Sequence, residues 1–232
     1  VGAASLKKTG GKAAPTAAAM VLLVLFYGVT QLDFPAWDVF SVRWYRLGSA
    51  EAVGLLAGQW WRAATALTLH ADPAHVTANA VVGGALLLVL CRRLGSGLGW
   101  LLTIVGGVGG NVVNAWVQGP PHDAVGFSTA VFATAGVLAG YRATGGMGSE
   151  GFSLRGTLVP VAAGLGILAM LGSGGVNTDL GGHFFGFCCG LALGALAGPW
   201  VAWRGLPTRA QDAALGLAAF ALVLGAWAWA WL

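Results

Sequence analysis

Apolar stretches of about 20 residues, each long enough to cross a bilayer as a helix, alternate with short polar segments along most of this chain. The pattern predicts an all-α, polytopic membrane helix bundle. The seven predicted spans lie at about residues 16–31, 74–91, 97–117, 126–141, 156–171, 181–203 and 213–232. The first span follows a basic segment without a small-x-small cleavage site, so we interpret it as a retained anchor rather than a signal peptide.

The segment 33–73, which connects the first two predicted spans, is much longer than a connection between packed helices usually is. The segment is rich in residues that favour the lipid headgroup layer, and it is predicted to be a partly helical insertion at the outer interface. Those residues are Trp37, Trp44, Trp60, Trp61, Arg43, Arg46 and Arg62. The predicted organisation is therefore a cytoplasmic segment 1–15, a transmembrane core 16–203 that includes this loop, and a short inner loop with the seventh helix at 204–232.

Composition excludes a soluble domain. The chain is 57% hydrophobic and 9% charged, whereas soluble domains carry about 25% charged residues, so its partner is the lipid bilayer. The net charge of +4 does not indicate nucleic-acid binding, because the basic residues lie in loops where they orient a membrane protein. The three cysteines, which have no C-x-x-C spacing, are interpreted as packing residues.

The distribution of basic residues predicts the orientation in the membrane. The predicted topology leaves only Arg43, Arg46 and Arg62 outside. The other basic residues fall inside: Lys7, Lys8, Lys12, Arg92, Arg93, Arg142, Arg155, Arg204 and Arg209. Such a bias places the N-terminus in the cytoplasm and makes spans two, four and six all start at the outer face.

Polar residues gather at the starts of those three spans. His75 and Asn79 lie at the start of span two, Ser128 at the start of span four and His183 at the start of span six. Polar groups inside a membrane segment are costly, so a cluster at one depth is a functional-site hypothesis. A serine here also fits a plain helix cap, and it is the histidines that favour chemistry.

Small residues predict that spans four and six approach closely. Gly186, Gly190, Gly194 and Gly198 recur every fourth residue in span six, and span four offers Ala135, Gly136, Ala139 and Gly140. Packing these faces would bring Ser128 and His183 together, although the same glycines would also hold together a bundle without catalytic function.

A serine near a histidine is the minimal acyl-transfer pair, because the imidazole takes the hydroxyl proton. His75, Asn79 and the Ser128 backbone N–H are candidate donors to an oxyanion. Neither Asp179 nor Asp123 is required as a third member.

The polar residues also suggest two other classes of site. His70, His75, His122 and His183 are possible metal ligands, but no H-E-x-x-H motif and no acidic or thiolate ligand accompanies them. A transporter would need embedded charge or inverted repeats, which the spans lack.

Four motifs in order resemble the rhomboid intramembrane serine proteases. They are Trp61-Arg62, His70-x-x-x-x-His75-x-x-x-Asn79, Gly126-Phe127-Ser128 and His183-x-x-Gly186-x-x-x-Gly190. The resemblance implies a rhomboid-like six-helix core plus a seventh C-terminal helix. It also implies a Ser128–His183 dyad, with His75, Asn79 and the Ser128 N–H as oxyanion hole. Trp61 and Arg62 would belong to the membrane-lying loop, His70 would support that loop, and Phe132 would pack against His183.

The chain departs from the family pattern at Thr129, where glycine is usual after the serine, and in its seventh span. A threonine there would narrow the substrate pocket.

The function expected is hydrolysis of peptide bonds in or near the membrane segments of single-span proteins, with no metal or organic cofactor. The expected location is a bacterial inner membrane, with the site toward the outer face. The competing reading is a noncatalytic rhomboid-like protein that binds membrane clients.

Overall fold

The computed structural model describes residues 2–37, 39–144 and 178–232, and this part of the chain is a helical membrane bundle without β-strands. Its α-helices are α1 Gly2–Thr30, α2 Ser41–Gly48, α3 Ala52–Leu56, α4 Arg62–Thr65, α5 Pro73–Ala78, α6 Gly84–Leu94, α7 Ser96–Gln118, α8 Ser128–Ala143, α9 Leu180–Arg204 and α10 Arg209–Ala230. A π-helix, Asn79–Gly83, joins α5 to α6 in one continuous rod, and 3-10 turns lie at Pro35–Trp37 and Ala66–Thr68.

Five stretches of described helix are long and apolar enough to cross a membrane: Ala13–Thr30, Pro73–Leu94, Ser96–Gln118, Leu180–Arg204 and Arg209–Ala230. The predicted fifth span, 156–171, and Arg155 lie outside the described residues. Residues 2–15 of the predicted segment 1–15 are helical and continuous with the first span, which fits their alanine- and lysine-rich sequence.

Helix α8 is the centre of the bundle. Twelve of its 16 residues are buried, and it packs against α6, α7 and α9. At 1.5 Å per residue it is about 24 Å long, shorter than the roughly 30 Å hydrocarbon core. One or both of its ends therefore lie below the membrane surface.

The start of α8 differs from the predicted span 126–141. Gly126 has φ +136° and Phe127 precedes the helix, so that Ser128 is its first residue. A glycine is needed here because an L side chain rarely adopts this backbone conformation. The turn lets the chain enter the bundle and begin a helix within two residues.

The loop between the first two spans is folded rather than extended. Arg62 is only 7% exposed, and its guanidinium donates to the Gln59 side chain (2.6 Å) and to the carbonyls of Ser49 (3.1 Å) and Arg46 (2.9 Å). The Trp61 indole donates to the Leu47 carbonyl at 3.1 Å. These contacts join α2 to α4 and give the loop a fixed shape.

Candidate active site

The backbone before Ser128 is held by the loop that precedes α5. The Gly126 N–H donates to the Ala66 carbonyl at 2.9 Å, and the Phe127 N–H donates to His70 Nε2 at 3.3 Å. The N–H of Ser128 lies in the first turn of α8, where a helix offers no carbonyl partner. It is therefore available to a ligand, and the Ser128 side chain is partly exposed.

His75 lies over this turn, in the first turn of α5. The Asp72 carboxylate accepts from the His75 N–H at 2.8 Å and so caps the helix. A Cβ added at Gly126 would lie 2.7 Å from His75 Nε2 and 3.4 Å from Ser128 Oγ. The imidazole of His75 and the hydroxyl of Ser128 therefore both lie beside Gly126. The space between them stays open because residue 126 has no side chain.

Asn79 lies one turn after His75, where the π-helix begins. The residue is 7% exposed, and its Nδ2 has no hydrogen-bond partner among the described residues. An unpaired buried donor costs about 1–3 kcal/mol, and π-turns inside α-helices are frequent at functional sites. Both features make this amide a candidate to bind a ligand oxygen.

His183 occupies the first turns of α9 and is 6% exposed. Its ring stacks on Phe132 of α8, with centroids 4.4 Å apart and planes inclined by 27°. Phe132 is one helical turn after Ser128. The structure records no hydrogen bond between Ser128 and His183, and His183 Nδ1 is buried without a partner in the described part of the chain. Catalytic hydrogen bonds are often long before substrate binds.

Glycines bring the helices carrying Ser128 and His183 into backbone contact. A Cβ at Gly186 would collide with the Thr129 carbonyl, one at Gly190 with the Ala133 carbonyl, and one at Gly194 with the Val137 carbonyl. On the other helix, Gly136 and Gly140 meet the carbonyls of Phe187 and Leu191 in the same way. The surface of α8 that packs against α9 therefore includes Thr129, Ala133 and Val137 as well as the small residues predicted from the sequence.

Thr129 is buried between α7 and α9. Its methyl group lies 2.8 Å from a Cβ built at Gly110 and 3.0 Å from one built at Gly186, and its hydroxyl 3.1 Å from one at Gly182. It is 4% exposed. The side chain therefore fills space left by three glycines, and it also lines the small cavity beside Ser128.

Asp179 has a structural role that its sequence position did not show. Its carboxylate accepts from the Gly182 N–H at 2.9 Å, capping α9, and from the Asn114 amide at 2.8 and 3.0 Å. The same amide lies 2.8 Å from His122 Nε2, and Asn111 donates to the Ala63 carbonyl at 2.9 Å. Sequence reasoning missed both asparagines, although two amides three residues apart in an apolar span were a usable signal.

A small cavity of about 10 Å³ borders Ser128, between the preceding turn and α9. Gly126, Thr129, Asn111 and Asp179 contribute to its wall. A single water molecule needs about this much space. The cavity is therefore suited to water and is too small for a peptide.

His70 is fully buried, with its ring edge-on to His75 at 5.1 Å between centroids. Burial is the main cause that lowers the pKa of His70 to about 3; His75 also lowers it, while the Thr68 backbone and Asp72 partly oppose the shift. The ring is therefore neutral near pH 7, and its Nε2 lone pair is free to accept from Phe127.

The remaining predicted residues are held within the loop between the first two spans. Trp61 and Arg62 make their hydrogen bonds within the loop, and none of these reaches Ser128 or His183. Among the described residues no group of three or more histidine, cysteine or acidic side chains is placed to hold a metal ion.

The comparison with protein families agrees with the order of the motifs. The family model described as Rhomboid domain matches residues 57–200, which is more than half of the chain and includes both Ser128 and His183. No protein of curated description matches the sequence. The match confirms the resemblance found in the sequence, and the chain therefore belongs to the rhomboid family.

Proposed function

We propose that this protein is an intramembrane serine endopeptidase that uses Ser128 as nucleophile and His183 as general base. The observation that carries the proposal is the stacking of His183 on Phe132, one turn from Ser128, across helices whose glycines allow backbone contact. The family to which the chain belongs consists mostly of such proteases, so site and family point to the same reaction.

The reaction takes two steps. His183 accepts the proton of Ser128 Oγ while that oxygen bonds to the scissile carbonyl carbon. The carbon–nitrogen bond then breaks, and the imidazolium gives its proton to the leaving amine. In the second step His183 takes a proton from water as the water oxygen bonds to the ester carbon. The bond from that carbon to Ser128 Oγ then breaks, and the imidazolium returns its proton to Oγ, which releases the carboxylic acid product and restores Ser128.

Three donors are available for the oxyanion that forms in each step. They are the unpaired N–H of Ser128, the buried Nδ2 of Asn79 and the ring of His75. Loss of one such donor typically costs about 3–4 kcal/mol of transition-state stabilisation. The amide of Asn79 is suited to this role, because it has no other partner in the described part of the chain.

The substrates we propose are single-span membrane proteins whose helix unwinds near the cleaved bond. A carbonyl in an intact helix is already hydrogen-bonded, and its backbone is shielded by side chains. The cavity beside Ser128 is large enough for one water molecule but not for a peptide, so substrate entry must displace part of its wall. The dyad needs no metal or organic cofactor, and we place the site toward the outer face of a bacterial inner membrane.

The proposal is tested by labelling the detergent-purified protein with a fluorophosphonate probe. We expect the wild type to be labelled, and the Ser128→Ala and His183→Ala variants not to be, since the first lacks the nucleophile and the second its base. Ser96→Ala is the matched control, because Ser96 also begins a helix, α7. That variant should be labelled like the wild type.

A folded wild type that resists labelling would contradict the protease proposal. It would favour instead a rhomboid-like protein that binds membrane clients without cleaving them. Equal labelling of the wild type and Ser128→Ala would place the reactive group elsewhere.

A further inference from the structure

The last helix, α10, is anchored to the bundle at its first turn. The Asp212 carboxylate accepts from the Leu98 N–H at 3.1 Å, in the first turn of α7. A Cβ at Gly97 would collide with the Asp212 carbonyl and lie 2.8 Å from the Gly216 nitrogen. The two helices therefore touch through their backbones at this end, and α10 begins from a fixed position.

At its other end α10 reaches the loop between the first two spans. The Trp227 indole N–H donates to Thr68 Oγ1 at 3.0 Å, and the Thr68 hydroxyl donates to the Thr65 carbonyl at 2.7 Å. Trp227 is 9% exposed. A Cβ at Gly48 would lie only 2.5 Å from its ring, so the indole fits closely against α2.

Aromatic side chains surround this hydrogen bond. The Trp227 ring lies 5.2 Å from that of Trp44 and 5.6 Å from that of Phe26, and Trp231 lies 5.1 Å from Trp44. Fully buried Leu69 belongs to the same cluster. The cluster partly shields the Trp227–Thr68 bond from water, and a shielded hydrogen bond is stronger than an exposed one.

The loop segment that Trp227 holds is the one that holds the turn before Ser128. Ala66 accepts from the Gly126 N–H, and His70 accepts from the Phe127 N–H. Thr68 lies between these two acceptors. A continuous path of hydrogen bonds and three loop residues thus connects α10 to the backbone of the proposed nucleophile.

We infer that α10 positions the active site: Trp227, acting through Thr68 and the Ala66–His70 segment, fixes the turn that presents Ser128. The inference rests on the proposed function for its catalytic readout, and it gives the seventh helix a role in the reaction rate. Trp227 is a positioning residue, since it touches neither Ser128 nor His183. Trp229, two residues later, is 55% exposed and contacts Trp61 only through its ring.

The experiment compares Trp227→Phe with Trp229→Phe, two identical changes on one helix. Phenylalanine keeps an aromatic ring but removes the N–H. We expect the rate constant of fluorophosphonate reaction at saturating probe to fall about tenfold in Trp227→Phe, because small displacements of reacting groups are costly. The half-saturating probe concentration should stay unchanged, and Trp229→Phe should react like the wild type.

The partner residue supplies a conservative rescue. Thr68→Val removes the acceptor at nearly constant volume and should reproduce the tenfold loss, whereas Thr68→Ser keeps the hydroxyl and should retain the wild-type rate. The double variant Trp227→Phe/Thr68→Val should be no slower than either single variant, as expected for two partners of one interaction. A purely structural defect would lower the labelled fraction and leave the rate constant of the remaining fraction unchanged.

Hydrogen exchange provides a readout that does not depend on activity. In Trp227→Phe we expect the amides of Gly126 and Phe127 to exchange about tenfold faster, because local opening of the loop frees them. Unchanged exchange, or unchanged reaction rates in a labelled protein, would overturn the inference. An unlabelled wild type would contradict the proposed function but not this inference. The exchange rates of Gly126 and Phe127 would still show whether Trp227 fixes the turn before Ser128.

Discussion

At the scale of single residues, His70 shows how a polar side chain is used deep in the loop. The ring is fully buried and its Nε2 accepts from Phe127, which requires the neutral form. A protonated ring would lose that acceptor and place a charge in a buried site. The neutral state of His70 is therefore part of the fold.

Acid should destabilise the protein through His70. Its pKa is lowered from 6.5 to about 3 on folding, so the unfolded state binds more protons below pH 6.5. Neutral His70 makes its full contribution to the free energy of unfolding above pH 6.5. About 1.4 kcal/mol of that free energy is lost for each pH unit from there toward pH 3. The measurement is the free energy of unfolding in mixed detergent micelles between pH 7.5 and pH 5.

His70→Gln is the control for this pH dependence. Glutamine keeps an acceptor for the Phe127 N–H but does not titrate. The wild type should lose stability more steeply than the variant as the pH falls, and parallel pH curves would contradict the assignment to His70.

At the scale of elements, the pair α8 and α9 depends on backbone contact. Five glycines face carbonyl groups across the interface, on both helices. Small residues are common where membrane helices pack closely, and here the same contact places His183 against Phe132. Packing and site geometry thus have a common cause.

Gly190→Ala should separate these helices. Its new methyl group would meet the Ala133 carbonyl, which cannot move without the whole of α8. We expect a loss of about 1–3 kcal/mol in unfolding free energy, as is usual for overpacked sites. Fluorophosphonate labelling should slow as well, because His183 moves with α9.

Gly225→Ala in α10 is the matched control, since a Cβ there meets no atom within 4 Å. It should leave labelling unchanged and stabilise the helix by up to about 1 kcal/mol. Equal stability of Gly190→Ala and the wild type would show that the interface can relax.

At the scale of the whole molecule, α7 and α8 set the depth of the site. Gly110 of α7 faces Thr129, and α7 continues for eight residues beyond it to Gln118, so Ser128 is recessed below that end of α7. The loop residues 66–70 reach down to the turn before Ser128. A recessed site roofed by a folded loop is compatible with water access and with a substrate that arrives from the membrane.

The charge bias predicts that residues 1 and 232 lie on opposite sides of the membrane, because the seven predicted spans are an odd number. In a bacterial host, alkaline phosphatase fused after Leu232 should be active, and green fluorescent protein fused there should be dark. Fusions after Gly205, between α9 and α10, should give the opposite result. The same result at both positions would exclude α10 as a spanning helix.

Much of the architecture follows from local sequence. Long apolar runs predict membrane helices because a bilayer leaves no other way to satisfy the backbone of an isolated span. The observed bounds of α7, α9 and α10 lie within a few residues of the predicted 97–117, 181–203 and 213–232. Helical periodicity also predicted the glycine face of α9, because residues four apart lie on one side of a helix.

Other features were decided only by tertiary contacts. The π-helix at Asn79–Gly83 was not predicted; Gly83 packs against Val131, where a Cβ would come within 2.7 Å. No local pattern indicated that Trp227 would bond to Thr68, 159 residues away.

The sequence by itself determined that the chain is a helical membrane bundle and which family it resembles, and it predicted which polar residues begin the spans. The tertiary structure decided which of those residues meet. It placed His183 on Phe132, buried Thr129 between helices, and joined α10 to the loop that holds Ser128. The physical reason is that hydropathy and periodicity are local properties, whereas a site depends on contacts between residues distant in the chain.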